Sequence, residues 1–134
     1  WAGLLPEKDL DYFVYKPIKS LVDFIRQKKT ISICFPRNIN SYKEFVDNVN
    51  PDIISIDYNV DPSIIRDTID IPVQGGLDPK ILLQNKEIVR NEVTKYLKTF
   101  DKKRYIFNLG HGVLPETNPD MVRYLVDEVR SFNG

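Results

Sequence analysis

Short apolar runs alternate with helically periodic segments four times along this chain, and this alternation constrains the fold more than any other sequence feature. The runs are rich in β-branched residues and bounded by polar residues or proline, which is typical of strands. Repeated alternation of this kind is typical of βαβ units, so we predict an α/β fold with about four βα units and a parallel sheet. Pro72 argues against a central position for the third strand, because proline has no N–H for the ladder. The predicted strands are 31–35, 52–56, 71–73 and 104–107.

The segments between the predicted strands show helical periodicity and recognisable helix starts. Apolar residues recur at intervals of three and four over 10–25, which indicates an amphipathic helix. Pro17 lies inside that helix, and we expect a kink or a restart there because proline cannot donate the helical hydrogen bond. Polar residues that favour helix N-termini precede the later helical segments. These predicted starts are Ser41, Asp78, Asn85 and Thr117.

Charge and composition exclude several classes of protein. The formal net charge is zero, so the chain has no electrostatic footprint for nucleic acid and no basic surface for anionic lipid. No apolar stretch approaches the ~20 residues that a membrane span requires. The single cysteine, Cys34, lies in an apolar run and cannot form an internal disulfide. We therefore expect a packing role for Cys34 and a cytoplasmic location for the protein.

The only histidine of the sequence, His111, lies in a loop at the end of the fourth predicted strand. Gly110 and Gly112 flank it, and glycine permits a positive φ or a close approach of the backbone to a ligand. An imidazole held there can change charge near neutral pH and bind an acid. Because βα folds bind ligands at the carboxyl ends of their strands, we predict that His111 belongs to a functional site. The alternative is a surface histidine that bonds only to backbone groups.

Two motifs resemble sequences of the uroporphyrinogen decarboxylase family. They are Phe107-Asn-Leu-Gly-His-Gly-Val-Leu-Pro115 and Gln74-Gly-Gly-Leu-Asp-Pro79, and the opening Trp1-Ala-Gly resembles the same family. The resemblance covers essentially the whole chain and implies a (β/α)₈ barrel, a fold that usually needs about 250 residues. We therefore expect residues 1–134 to form a single partial domain, the C-terminal half of a TIM barrel from a longer protein.

The resemblance also implies a carboxy-lyase of haem biosynthesis. The family removes the carboxyl groups of the four acetate side chains of uroporphyrinogen III, without a cofactor, and so makes coproporphyrinogen III. Of the family's substrate-contacting side chains only the histidine has a counterpart here, so we expect His111 to bind a substrate carboxylate. Asp57 matches a family acidic residue and is a weaker substrate-binding candidate, for which a structural role is favoured. Arg37 follows the first predicted strand and could bind a carboxylate, but the family tends to be glycine-rich there, so the default expectation is a solvated surface arginine.

Two alternative functions stay open at this point. One is a zinc-dependent methyltransferase of the same superfamily, which needs at least three protein ligands where this chain has one cysteine and one histidine. The other is a non-catalytic structural fragment, and we expect the isolated chain to be inactive. Open sheet edges and an uncovered apolar face favour self-association or pairing with the N-terminal half. For the full-length protein the resemblance implies a homodimer.

Overall fold

Four strands form one sheet in the computed structural model, which describes residues 1–101 and 103–132. The strands are β1 (Ile33–Cys34), β2 (Ile53–Ile56), β3 (Val73–Gly75) and β4 (Tyr105–Ile106). All neighbouring strands pair in parallel, in the order β1-β2-β3-β4. The helices are α1 (Glu7–Leu10), α2 (Lys16–Gln27), α3 (Tyr42–Val49), α4 (Pro62–Thr68), α5 (Lys86–Thr99) and α6 (Pro119–Ser131), with 3₁₀ turns at Ala2–Leu4 and Pro79–Leu83. The predicted α/β class is confirmed, and the arrangement is consistent with part of a TIM barrel.

The two faces of the sheet differ in burial. Residues on one face belong to the core, among them Ile54, Ile56 and Val73, each at most 2% exposed. The strand register places alternate residues on the opposite face. On that face Ile33 is 49% exposed and Ile106 is 42% exposed. In a closed barrel a face of this kind points to the interior, where side chains of the other strands fill the space.

Helices α1 and α2 are joined by a π-helical turn at Asp11–Tyr15, and Pro17 is the second residue of α2. The N–H of Lys16 donates to the carbonyl of Asp11, five residues earlier rather than four. The predicted irregularity at Pro17 is confirmed, and it takes the form of a wider turn because the proline ring lacks an N–H and crowds the preceding turn.

Among the helices of 1–101 and 103–132, none has the length and apolar character needed to cross a membrane.

Three of the four predicted helix starts are confirmed by side chains that accept a backbone N–H bond. They are Ser41, Asp78 and Asn85. The prediction of Thr117 is wrong, since Asn118 caps α6 and its Oδ1 accepts from the Asp120 N–H at 2.9 Å. Pro119 explains the difference, because its fixed φ suits the first helical position and makes the preceding residue the cap.

The third strand begins at Val73 rather than at 71, and it lies in the middle of the sheet between β2 and β4. The prediction of a non-central strand is therefore wrong. Pro72 precedes the strand and contributes only its carbonyl, which accepts from the Ile54 N–H at 3.1 Å. The missing proline N–H consequently costs no ladder bond. The first and fourth strands are shorter than predicted.

Candidate functional site

His111 lies at the carboxyl edge of the sheet, in the loop after β4, and it is exposed. Its Nε2 atom is in hydrogen-bond contact with Nη1 of Arg37, which lies in the loop after β1. The two residues are 74 positions apart in sequence. The parallel sheet brings them together because the carboxyl ends of all its strands lie at one edge. This edge is therefore the candidate site.

Arg37 is enclosed by its neighbours rather than solvated, and its side chain is only 16% exposed. Its guanidinium carbon lies over the ring of Trp1, 3.5 Å from the centroid. Its Nε lies 3.8 Å from Oδ1 of Asp57. Both of these atoms are buried, and neither has a hydrogen-bond partner within the described part of the chain. The expectation of a solvated surface arginine is wrong, because the β1 loop folds over the end of β2.

Asp57 anchors the base of this site with a side chain that is 1% exposed. Its Oδ2 accepts from the Asn38 N–H at 2.6 Å and from the Tyr42 hydroxyl at 2.7 Å. The N–H of Asp57 donates to the same hydroxyl oxygen at 2.9 Å. Burial and the hydrogen bond to Asp57 raise the pKa of Tyr42 far above its usual value, so the hydroxyl stays protonated. Asp57 thus ties the β1 loop and α3 to the end of β2.

The two glycines beside His111 differ in their surroundings. A Cβ added at Gly110 would lie 2.4 Å from the backbone nitrogen of Tyr58, whereas nothing lies within 4 Å of a Cβ added at Gly112. Neither glycine has a positive φ. At Gly110 the backbone of the His111 loop therefore packs on the end of β2. The expected positive φ is wrong for both glycines, and the expected approach to a ligand stays a prediction.

With this geometry in place, comparison with known proteins assigns the family. The family model described as uroporphyrinogen decarboxylase (URO-D) matches residues 1–132. The chain belongs to the uroporphyrinogen decarboxylase family. Proteins named uroporphyrinogen decarboxylase from Rickettsia felis and Rickettsia bellii are 38% and 39% identical to it, each over 98% of this chain. The chain spans 39% and 40% of the length of these two relatives.

The two motifs that resemble uroporphyrinogen decarboxylase are joined at the carboxyl edge. Leu77 pairs with Leu109 in an isolated parallel bridge, and the Gly110 N–H donates to the Leu77 carbonyl at 2.8 Å. In the motif at 74–79, the side-chain amide of Gln74 donates to Oγ of Ser55 at 3.3 Å. The bonds at Leu77 therefore join the motif at 74–79 directly to the His111 loop.

The double glycine of the motif at 74–79 is fixed by two tyrosines, of which Tyr96 is buried and Tyr105 is half-buried. Gly75 and Gly76 have φ values of 88° and 102°, which favour glycine. Their carbonyls accept from the hydroxyls of Tyr105 at 2.7 Å and Tyr96 at 2.6 Å. Burial raises the pKa of Tyr96 to about 12, so its hydroxyl remains a donor at neutral pH. The two glycines of this uroporphyrinogen decarboxylase motif are therefore explained by their backbone conformation and by hydrogen bonds within the protein.

The described residues contain no group of three or more His, Cys, Asp and Glu side chains that could hold a metal ion. Cys34 is half-buried in β1, and burial, with a smaller effect of Asp52, raises the pKa of its thiol. The residues 1–101 and 103–132 therefore do not by themselves bring together the three protein ligands that a zinc site needs.

Sequence reasoning placed Arg37 at this edge but assigned it to solvent rather than to the site. The signal was present, since Arg37 follows the first strand at the same edge as His111. It was outweighed by the glycine-rich composition of the family at that position. The contact with Trp1 had no local sequence signal, because it depends on how the N-terminal residues lie over the β1 loop.

Proposed function

We propose that this chain is the C-terminal half of a uroporphyrinogen decarboxylase barrel and that His111 binds a carboxylate of the porphyrinogen substrate. The observation that carries the proposal is the exposed imidazole at the carboxyl edge, beside the guanidinium of Arg37. This is the edge at which TIM barrels bind their substrates. An imidazole N–H at this edge suits a substrate with many carboxylates, because it can donate a hydrogen bond to a carboxylate oxygen.

The proposed reaction is the cofactor-free conversion of uroporphyrinogen III to coproporphyrinogen III. Protonation of a pyrrole ring carbon next to the acetate-bearing position makes a cation. The bond to the carboxyl group then breaks, carbon dioxide leaves, and the electron pair neutralises that cation. A proton adds to the former methylene carbon to make a methyl group, and the ring loses the proton it had gained. The protein positions the macrocycle, transfers protons and stabilises the cation.

Substitution of His111 in the intact enzyme tests this proposal. We expect His111→Ala to lower kcat/KM for uroporphyrinogen III by about 10- to 100-fold, the loss typical of one hydrogen bond to a charged group. Glu116→Ala is the matched control, since Glu116 is exposed in the same loop. Unchanged kinetics for His111→Ala across all four decarboxylations would refute a substrate role for this residue.

We further propose that the isolated chain is inactive and either self-associates or pairs with the N-terminal half. The exposed apolar face of the sheet supports this, since Ile33 and Ile106 lie on it. For the intact enzyme we propose a cytoplasmic homodimer. Sedimentation and an activity assay of the isolated chain test the first proposal. A folded monomer, or conversion of uroporphyrinogen by this chain alone, would contradict it.

A further inference from the structure

We propose that Arg37 is a positioning residue that holds His111 in the neutral tautomer with its proton on Nδ1. His111 then presents an N–H donor to the substrate. The contact between Nη1 of Arg37 and Nε2 of His111 is the starting observation. The assignment of a substrate carboxylate as the partner of Nδ1 rests on the proposed function. The assignment of the tautomer does not, because it is argued from the contact with Arg37.

The tautomer follows from the chemistry of the two partners. All guanidinium nitrogens of arginine donate hydrogen bonds and none accepts. The Nε2 atom of His111 must therefore offer its lone pair to Nη1 of Arg37. In a neutral imidazole the other ring nitrogen then carries the proton, because one nitrogen donates and the other accepts. Nε2 is thereby occupied as an acceptor, and Nδ1–H is left as the donor.

Arg37 can impose this state because its own position is fixed from several directions. Its guanidinium stacks over the Trp1 ring at 3.5 Å and lies against the buried carboxylate of Asp57 at 3.8 Å. Its backbone carbonyl accepts from the Gly3 N–H at 3.1 Å. His111, in contrast, lies in an exposed loop. The more tightly held side chain therefore determines the orientation of the other.

Nitrogen-15 NMR of the imidazole tests the proposal, because this chain contains a single histidine and gives a single pair of ring signals. The 134-residue chain is measured at about pH 8, where an ordinary histidine is neutral. We expect Nδ1 at the shift of a protonated ring nitrogen and Nε2 at the shift of an unprotonated one. A folded chain with the proton on Nε2 would overturn the proposal without any variant.

Substitution of Arg37 tests whether this residue, rather than the rest of the surroundings of His111, determines which ring nitrogen carries the proton. Arg37→Met keeps much of the side-chain length and removes every donor, so we expect the proton to move to Nε2. Arg66→Met is the matched control, because Arg66 pairs with Asp67 on α4 and has no contact with His111. An unchanged tautomer in folded Arg37→Met would overturn the proposal.

A double-mutant cycle in the intact enzyme provides a measurement that does not require the isolated chain to fold. If Arg37 acts through His111, Arg37→Met combined with His111→Ala should lower kcat/KM no further than His111→Ala alone. Independent, multiplicative losses would overturn the positioning role. If His111→Ala itself has no effect, the proposed function fails, while the NMR result still decides the tautomer.

Discussion

Two aspartates flank strand β2, and they make nearly the same contacts at opposite ends of the sheet. Asp52, before the strand, accepts from the backbone N–H and the hydroxyl of Ser32 at 2.8 and 2.7 Å. Asp57, after the strand, accepts from a backbone N–H and from the Tyr42 hydroxyl at 2.6 and 2.7 Å. Each also has an arginine nearby, Arg26 at 3.7 Å in the first case and Arg37 at 3.8 Å in the second.

Burial separates the two aspartates. The side chain of Asp52 is 35% exposed and that of Asp57 is 1% exposed. Arg26 uses a guanidinium nitrogen to bind the Asn50 carbonyl at 2.6 Å, whereas Arg37 contacts the functional candidate His111. At each end of the sheet, an aspartate beside β2 accepts a hydrogen bond from the backbone next to β1 and so links the two strands. Only at the buried carboxyl end does the arginine also contact His111, the candidate substrate-binding residue.

The largest expected difference is in the cost of removing each carboxylate. We expect Asp57→Ala to lower the free energy of unfolding by about 3 kcal/mol, because it removes the charge beside Arg37 and leaves the Tyr42 O–H and the Asn38 N–H without their acceptor. Asp52→Ala should cost about 1 kcal/mol, since water can replace its bonds. Urea denaturation followed by circular dichroism measures both. Equal losses would show that burial does not distinguish the two ends.

Asp57→Asn sharpens this comparison as a control of similar shape. The amide oxygen can still accept from Asn38 and Tyr42, but the negative charge beside Arg37 is lost. The loss of stability should therefore be smaller than for Asp57→Ala. A loss as large as that of the alanine variant would assign the stabilisation to charge rather than to hydrogen bonding.

The His111 loop offers a second comparison, now between its two glycines. We expect Gly110→Ala to cost about 2 kcal/mol, because its Cβ would collide with the backbone of Tyr58 and force the loop away from β2. Gly112→Ala should change stability by less than about 0.5 kcal/mol, because a Cβ there meets nothing. Denaturation midpoints measure both, and similar midpoints for the two variants would contradict this packing.

Local features of the sequence predicted much of the fold. The caps at Ser41 and Asn85 were predicted because a capping side chain and its N–H partner are only three residues apart. Thr117 failed because the preference of Pro119 for the first helical position outweighs the capping preference of a threonine two residues earlier. The parallel direction of the strands followed from alternation alone, whereas the central position of the third strand, after Pro72, required the actual register.

The candidate site was predicted only in part, for a physical reason. His111 was found because it is a single residue in a recognisable motif. The contact with Arg37 depends on the order of β1 to β4, on a loop turned over β2, and on Trp1 lying across the guanidinium. None of these contacts is local in sequence. Periodicity assigns residues to an edge of the sheet but does not say which of them touch.

The smallest expected effect is the pH dependence of the stabilisation that the hydrogen bonds between Ser32 and Asp52 provide. The hydrogen bonds from Ser32, with a smaller contribution from Arg26, lower the pKa of this carboxyl below its usual value. A lowered folded-state pKa means that the stabilisation is complete above the unfolded-state pKa of about 4 and is lost as pH falls through the folded value. The difference in unfolding free energy between the unmodified chain and Asp52→Asn should thus be constant from about pH 6 to 8 and shrink below about pH 4. Urea denaturation across this range measures it. A difference that persists undiminished at the acidic end would mean that the charge of Asp52 is not its cause.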